Sequence, residues 1–227
     1  MSPAQAPAFH PSYRLIPSQF PPIGLFDTVA TAADLDAVME LAGWTNDRLV
    51  AERVARLPQT EWVFGRANSS IVMAAFLHAS PTGARFNGRD LGAWYASADI
   101  RTAAAEVGHH LRREAVARRI PTLSRTFRAY SARLDGAYID IRGRQSMMPE
   151  LYAPDDYQAS QAFGENLRKN GETGLLYDSV RLTGGRNAAV FRPTAILDVT
   201  QADHFEISVA ADAKRIEVRK LVSATRS

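Results

Sequence analysis

The pattern of apolar positions is most regular in residues 99–119, where it has helical spacing. The apolar positions recur every four residues and share one face of the predicted helix: Ala103, Val107, Leu111 and Ala115. The polar positions at i, i+3, i+4 and i+7 share another face: Glu106, His109, His110 and Arg113. The sequence therefore predicts one helix that ends before Pro121, with an apolar side for packing. Taken alone, the charged side is typical of a solvated helix with internal ion pairs.

Shorter helical patterns surround this one. Residues 69–77 form an apolar run that opens with serine, which predicts a buried helix with a Ser N-cap. Residues 155–169 predict a helix that ends at Asn170-Gly171. Residues 34–42 and 46–57 predict two more short amphipathic helices, whose Leu, Val and Met positions indicate core packing.

Strand-like segments lie mainly in the second half of the chain. Alternating or apolar runs of strand length occur at residues 13–17, 62–65, 94–96, 127–132, 137–141, 174–178, 188–191, 195–199, 206–209 and 215–221. Asp135-Gly136 predicts a hairpin turn between the fourth and fifth of these. Helices first and strands later favour an α+β fold with one continuous core over a βαβ repeat. Residues 1–12, with three prolines, predict a flexible tail or extended arm, and residues 13–227 predict a single domain.

Composition narrows the location and the chemistry. The chain of 227 residues has no cysteine, which excludes disulfides, thiolate metal sites and a Cys nucleophile. The N-terminus lacks a cationic start with an apolar run, and no stretch approaches the roughly 18 apolar residues of a membrane span. We therefore expect a cytoplasmic protein without a membrane partner.

Charge argues against nucleic acid as the main ligand. The net charge is only +3, from 27 basic and 24 acidic residues. Nine arginines nevertheless fall between positions 112 and 144, and the chain has lysine only at 169, 214 and 220. Because arginine suits bidentate contacts with phosphate or carboxylate, this span is either a solvated basic face or an anion-facing one.

Common catalytic motifs are missing from the sequence. It has no Gly-x-x-x-x-Gly-Lys-Ser/Thr loop, no Gly-x-Gly-x-x-Gly, no His-Glu-x-x-His and no Gly-x-Ser-x-Gly. Adjacent His109 and His110 point about 100° apart on a helix and cannot chelate one metal. We expect no metal site.

An ordered set of polar residues points elsewhere. Arg85 follows Gly83-Ala84 in a turn, Tyr95 lies in a short aromatic strand, and Glu106 and His110 follow on the helix. Much later come Leu-Leu-Tyr-Asp-Ser-Val-Arg at 175–181 and Gly-Gly-Arg-Asn at 184–187. In this order the set resembles the RES-domain family, named for an Arg, a Glu and a Ser, which by position are Arg85, Glu106 and Ser179.

The resemblance extends loosely over nearly the whole chain and implies a fold and a function. It implies an ADP-ribosyltransferase-like sheet with a central helix, on which residues 30–57 form an added N-terminal helical layer. It also implies NAD as a substrate, and a toxin that is restrained by a helix-turn-helix antitoxin.

NAD cleavage needs a cationic clamp, an aromatic wall and a carboxylate that faces a cation-like sugar. Arg85 would bind the phosphates, Tyr95 would pack on nicotinamide, and Glu106 would contact the ribose. Ser179 would orient the sugar or the amide. The remaining candidates are secondary: His110 as a partner of the carboxylate or a ligand contact, Asn187 behind the Ser179 loop, and Arg14 as a further phosphate or ribose contact.

The sequence also departs from the family pattern. Ala84 and Phe86 stand where many relatives have Gly and Trp, and Asp178 stands where many have Pro. Gly88 replaces another usual proline, which predicts a looser backbone at that turn.

The acceptor of ADP-ribose stays open between a host protein, phosphate and water. A protein acceptor is the first expectation, because the added helical layer offers surface for recognising a macromolecule. The rivals are a non-catalytic basic module that binds nucleic acid and an inactive interaction protein with the same fold.

Overall fold

The computed structural model describes residues 3–18, 27 and 52–222. Its strands are β1 Gln5–Pro7, β2 Ser12–Pro17, β3 Trp94–Ser97, β4 Thr122–Leu134, β5 Ala137–Asp140, β6 Gly174–Asp178, β7 Arg186–Val190, β8 Ile196–Ala210 and β9 Ile216–Leu221. Its helices are α1 Ser69–Leu77, α2 Ile100–Ala117 and α3 Gln158–Lys169, with short 3₁₀ helices at Gln59–Glu61, Pro149–Tyr152 and Pro193–Ala195.

In these residues the nine strands form one mixed sheet. Their order is β1-β5-β6-β7-β3-β2-β4-β8-β9, and every neighbouring pair is antiparallel except the parallel pair β5–β6. The predicted α+β class is confirmed. None of the described helices has the length and apolar character that crossing a bilayer requires.

Alternation along the strands divides the core between the two faces of the sheet. On β6, Leu176 packs with α1 on one face, whereas Leu175 and Tyr177 pack with α3 on the other. The face opposite α1 is itself shared, because α2 covers β2, β4 and β8 through Leu15, Phe127 and their neighbours. A cleft therefore lies between α2 and α3.

The helix ends show how local residues place these elements. The Asp99 side chain caps α2 by accepting from the Thr102 amide at 2.7 Å. The Ser N-cap predicted for α1 is wrong, since Asn68 occupies that position with φ 64° and makes no side-chain cap. The carboxylate of Asp27 instead accepts from the amides of Asn68 and Ser70.

Several predicted strands are arranged differently in the structure. The Asp135-Gly136 turn does not join a hairpin, because β4 already pairs with β2 and β8 while β5 pairs with β1 and β6. The segments predicted at 195–199 and 206–209 belong to one strand, β8, except for Ala195, which ends the preceding 3₁₀ helix. Residues 62–65 form no strand, since the chain there leaves a 3₁₀ helix in an extended conformation.

The N-terminal arm is part of the sheet. A flexible tail is the wrong description of residues 5–7, because β1 pairs antiparallel with β5 from Gln5↔Ile139 to Pro7↔Ala137. The extended arm is the alternative that the structure supports. The predicted helix 34–42 and most of the layer 30–57 lie outside the described residues, although residues 52–54 are helical.

Candidate active site

A cavity of about 430 Å³ opens between α2 and the start of α3. Its walls include the sequence-predicted residues Arg14, Arg85, Tyr95, Glu106, His110 and Asn187. Its floor lies where the sheet splits, because β2 and β3 pair only at Tyr13↔Ser97. The structure thus brings together residues that are up to about 170 positions apart in the chain.

Glu106 is held by two hydrogen-bond donors, one from the loop after β6 and one from β7. Ser179 Oγ and Asn187 Nδ2 each donate to Glu106 Oε1 at 2.7 Å. Buried Ser97 Oγ donates to Asn187 Oδ1, also at 2.7 Å, which fixes the amide. No other described residue donates to the Glu106 carboxylate, so Oε2 is available to a ligand.

Ser179 contacts the Glu106 carboxylate from outside the cavity lining. Its hydroxyl accepts from the amides of Arg181 and Leu182 at 3.0 Å while donating to Glu106. With these three partners the hydroxyl is engaged in positioning the Glu106 carboxylate. Asn187 likewise holds Glu106 directly, and not the Ser179 loop.

Arg85 is buried and lacks an acidic partner among the described residues. Its Nη1 donates to the carbonyl oxygens of Ala153 at 2.7 Å and Leu151 at 3.3 Å. Its guanidinium lies 4.6 Å from the ring centroid of Tyr157, a cation–π contact. The cleft wall therefore carries a positive charge that only neutral groups compensate.

The turn that carries Arg85 is held from two sides. Tyr95 Oη donates to Asn87 Oδ1 at 2.8 Å and accepts from the Phe86 amide at 2.9 Å. The Gly88 amide donates to Glu165 Oε1 on α3 at 2.9 Å. The looser backbone expected at Gly88 is wrong, since glycine supplies an amide that proline lacks and thereby ties the turn to α3.

Arg14 lies in the gap where β2 and β3 separate. Its guanidinium stands 5.0 Å from the Trp94 ring centroid, and Nη1 donates to the Tyr95 carbonyl oxygen at 3.1 Å. Burial lowers its pKa to about 10, against the opposing effect of Tyr95. These contacts make Arg14 a bridge between the two strands at the edge of the cavity.

The two histidines of α2 have different environments. His110 lines the cavity, and its pKa is lowered, first by desolvation and then by the nearby cations Arg181, Arg113 and Arg85, against the pull of Glu106. His109 lies outside the cavity lining with its ring 5.5 Å from that of His110. Burial and the charge of Arg181 are the main causes that lower the pKa of His109 to about 4.

The cavity also has walls that were not among the predicted site residues. Those with aromatic or charged side chains are Tyr13, Arg113, Tyr157 and Tyr177. Arg113 was already on the charged face with Glu106, so its i+7 spacing was a usable signal. The tyrosines have no such local signal, because their positions depend on how separate elements meet.

Much of the arginine-rich span is neutralised within the protein. Glu114 pairs with Arg118 and Arg125, both at 2.9 Å, and Asp140 pairs with Arg142 at 2.7 Å. Arg133 pairs with Asp198 at 2.9 Å. These pairs weaken the case for a continuous anion-binding face.

A comparison with known protein families agrees with the RES-domain resemblance of the sequence. The family model described as RES domain matches residues 51–210. The chain belongs to the RES-domain family. This RES-domain protein is also similar to the solved structure of the M. tuberculosis MbcT-MbcA toxin-antitoxin complex, at 14% identity over 87% of this chain and 86% of that chain, with a TM-score of 0.47. No curated protein matches it.

Proposed function

We propose that this RES-domain protein is a toxin whose cleft binds NAD and cleaves the bond between nicotinamide and ribose. The observation that carries the proposal is the single carboxylate of Glu106, held on one oxygen by Ser179 and Asn187 in a cavity with cationic and aromatic walls. This arrangement supplies the charge that a cation-like sugar requires.

The proposed step balances without a further redox reagent. The bond between ribose C1 and the pyridinium nitrogen breaks, its electron pair goes to nicotinamide, and the sugar becomes an oxocarbenium ion. Glu106 Oε2 faces that positive charge and accepts from a ribose hydroxyl. Tyr95 or Tyr177 provides a flat wall for nicotinamide, and Arg85 binds phosphate oxygens.

The residues that line the cavity favour one of the possible acceptors of ADP-ribose over the others. Glu106 is the only acidic residue of this lining in the described part of the chain, so no second carboxylate is placed to deprotonate a protein side chain or water. Inorganic phosphate is already anionic, needs no base, and is attracted by the exposed Arg113. The cleft therefore supports an NAD phosphorylase better than a protein ADP-ribosyltransferase or an NAD glycohydrolase.

Product analysis separates these reactions. Purified protein is incubated with NAD in phosphate buffer, in phosphate-free buffer and with cell lysate, and the products are identified by mass spectrometry and phosphorus NMR. We expect nicotinamide and ADP-ribose 1″-phosphate, formed only with phosphate. Free ADP-ribose in both buffers would indicate hydrolysis. ADP-ribosylated proteins in the lysate would indicate that the protein transfers ADP-ribose to a host protein.

We also propose a cytoplasmic location and a helix-turn-helix antitoxin that covers the cleft. The RES-family resemblance supports the partner, and Arg113, exposed at the cleft, offers an attachment point for an acidic one. If the protein is instead a nucleic-acid-binding module, its affinity for DNA or RNA should fall steeply with salt and it should not turn over NAD. Filter binding across a salt series measures that affinity.

A further inference from the structure

Two arginines meet at one backbone oxygen beside the cleft. Arg85 Nη2 lies 3.5 Å from the carbonyl oxygen of Pro154, and Arg181 Nη2 donates a short hydrogen bond to the same oxygen. Neither guanidinium has a carboxylate partner among residues 3–18, 27 and 52–222. Two like charges repel each other, and a neutral carbonyl compensates only part of that repulsion.

The same two side chains hold the whole segment 153–157 against the cleft. Arg85 Nη1 donates to the Ala153 carbonyl oxygen, and its guanidinium stacks on the Tyr157 ring. Arg181 Nη2 also donates to Tyr157 Oη at 3.3 Å. Pro154, the second residue of this segment, is exposed. Apart from the Tyr157 carbonyl oxygen, which accepts from the Gln161 amide at 2.8 Å and from Ser160 Oγ at 3.1 Å, the segment is held mainly by cation contacts that a stronger anion can replace.

Arg181 acts on the cleft although its side chain does not line the cavity. Its charge lowers the pKa of both His109 and His110 on the facing helix α2. It contacts Tyr157, which does line the cavity, and its backbone amide donates to Ser179 Oγ at 3.0 Å. Arg181 thus contacts both Tyr157, which lines the cavity, and Ser179, which holds the Glu106 carboxylate.

We propose that Arg181 is a second diphosphate-binding residue and that the Pro154 carbonyl occupies the place of a phosphate oxygen in the free protein. This inference rests on the proposed binding of NAD in the cleft. Anionic oxygens make stronger hydrogen bonds to guanidinium than a neutral carbonyl does, so a diphosphate takes over these donors. Segment 153–157 is released when it binds.

Calorimetric titration with ADP-ribose, which carries the diphosphate but needs no turnover, tests the assignment. Arg181→Ala should weaken ADP-ribose binding at least about tenfold, and Arg181→Lys should weaken it less because the charge is kept without the fork. Arg101→Ala removes the same charge at an exposed position of α2 and should bind within about twofold of wild type. Nicotinamide riboside, which lacks phosphate, should bind wild type and Arg181→Ala equally.

Hydrogen exchange of the unmodified protein gives a second test that does not depend on a variant. Addition of ADP-ribose should speed exchange of the Gln161 amide, which donates to the Tyr157 carbonyl oxygen at 2.8 Å in the free protein. Slower or unchanged exchange there, or normal ADP-ribose affinity of a folded Arg181→Ala protein, overturns this inference while leaving NAD cleavage intact. Failure of wild type to bind ADP-ribose would instead overturn the proposed function itself.

Discussion

The position of the Glu106 carboxylate depends on donors from two separate strands and loops. Ser179 follows β6, and Asn187 lies in β7, and both bonds reach the same oxygen. Because both hydrogen bonds fix Oε1, they also determine where Oε2 lies in the cavity. The chemistry of the site therefore extends to residues that need not touch the substrate.

Ser179→Ala tests this support at the residue scale. The change removes one donor to Glu106 and leaves the amides of Arg181 and Leu182 without their acceptor. We expect kcat for NAD cleavage to fall about tenfold, with KM within about threefold, because a looser carboxylate loses stabilisation chiefly in the transition state. Ser146→Ala, at an exposed position, is the control. Unchanged kcat in Ser179→Ala would assign the orientation to Asn187 alone.

His109 gives a pH dependence whose sign follows from its lowered pKa. Its pKa is about 4 in the folded protein against 6.5 without the fold, so the unfolded chain binds more protons between these values. The free energy of unfolding should therefore fall as the pH drops through that window. His109→Gln should lose less stability than wild type between about pH 7 and about pH 5 in urea unfolding. His78→Gln, exposed just after α1, should follow wild type, and equal losses in all three proteins would contradict the account.

At the scale of elements, α3 fixes the turn that carries Arg85 through a close approach. A Cβ at Gly164 would lie only 2.0 Å from the carbonyl oxygen of Phe86, so no larger residue fits without moving the helix. The side-chain Nε2 of Gln161 also donates to the carbonyl oxygens of Thr82 and Ala84, at 2.9 and 3.0 Å. The helix thereby sets the position of Arg85 in the cleft.

Gly164→Ala should disturb both stability and ligand binding. Forcing α3 away from the turn should lower the free energy of unfolding by about 1–3 kcal/mol and weaken ADP-ribose binding through Arg85. Chemical denaturation and calorimetric titration measure the two effects. Ala162→Ser enlarges an exposed residue of the same helix and should change neither. Wild-type stability of Gly164→Ala would show that the turn moves freely.

Local patterns predicted individual elements better than the partners of those elements. The bounds of α1 and β6 agree with the apolar runs that predicted them, because both elements are buried along their length. The hairpin at Asp135-Gly136 failed because the turn dipeptide gives a local reversal but cannot show that both edges of β4 are occupied. The contacts of Gly164 and Arg181 could not be predicted for the same reason, since they join segments that are distant in the chain.

At the scale of the whole molecule, the cleft lies where the apolar packing is interrupted. One face of the sheet is covered by α1, and the other is divided between the α2 and α3 clusters. Between these clusters the cavity exposes the tyrosines, the arginine turn and the single carboxylate. The RES-family order of Arg85, Tyr95, Glu106 and Ser179 could be recognised in the sequence, whereas the contacts that each side chain makes required the fold.

The most direct test of the central claim is nicotinamide release from NAD by wild type and Glu106→Gln. Wild type, free of any partner and supplied with phosphate, should release nicotinamide, and Glu106→Gln should do so at least about a hundredfold more slowly, while ADP-ribose affinity stays close to wild type. Glu114→Gln makes the same change on α2 at a residue paired with Arg118 and Arg125, and should match wild type. Intact NAD with folded wild type, or wild-type turnover by Glu106→Gln, would contradict the account.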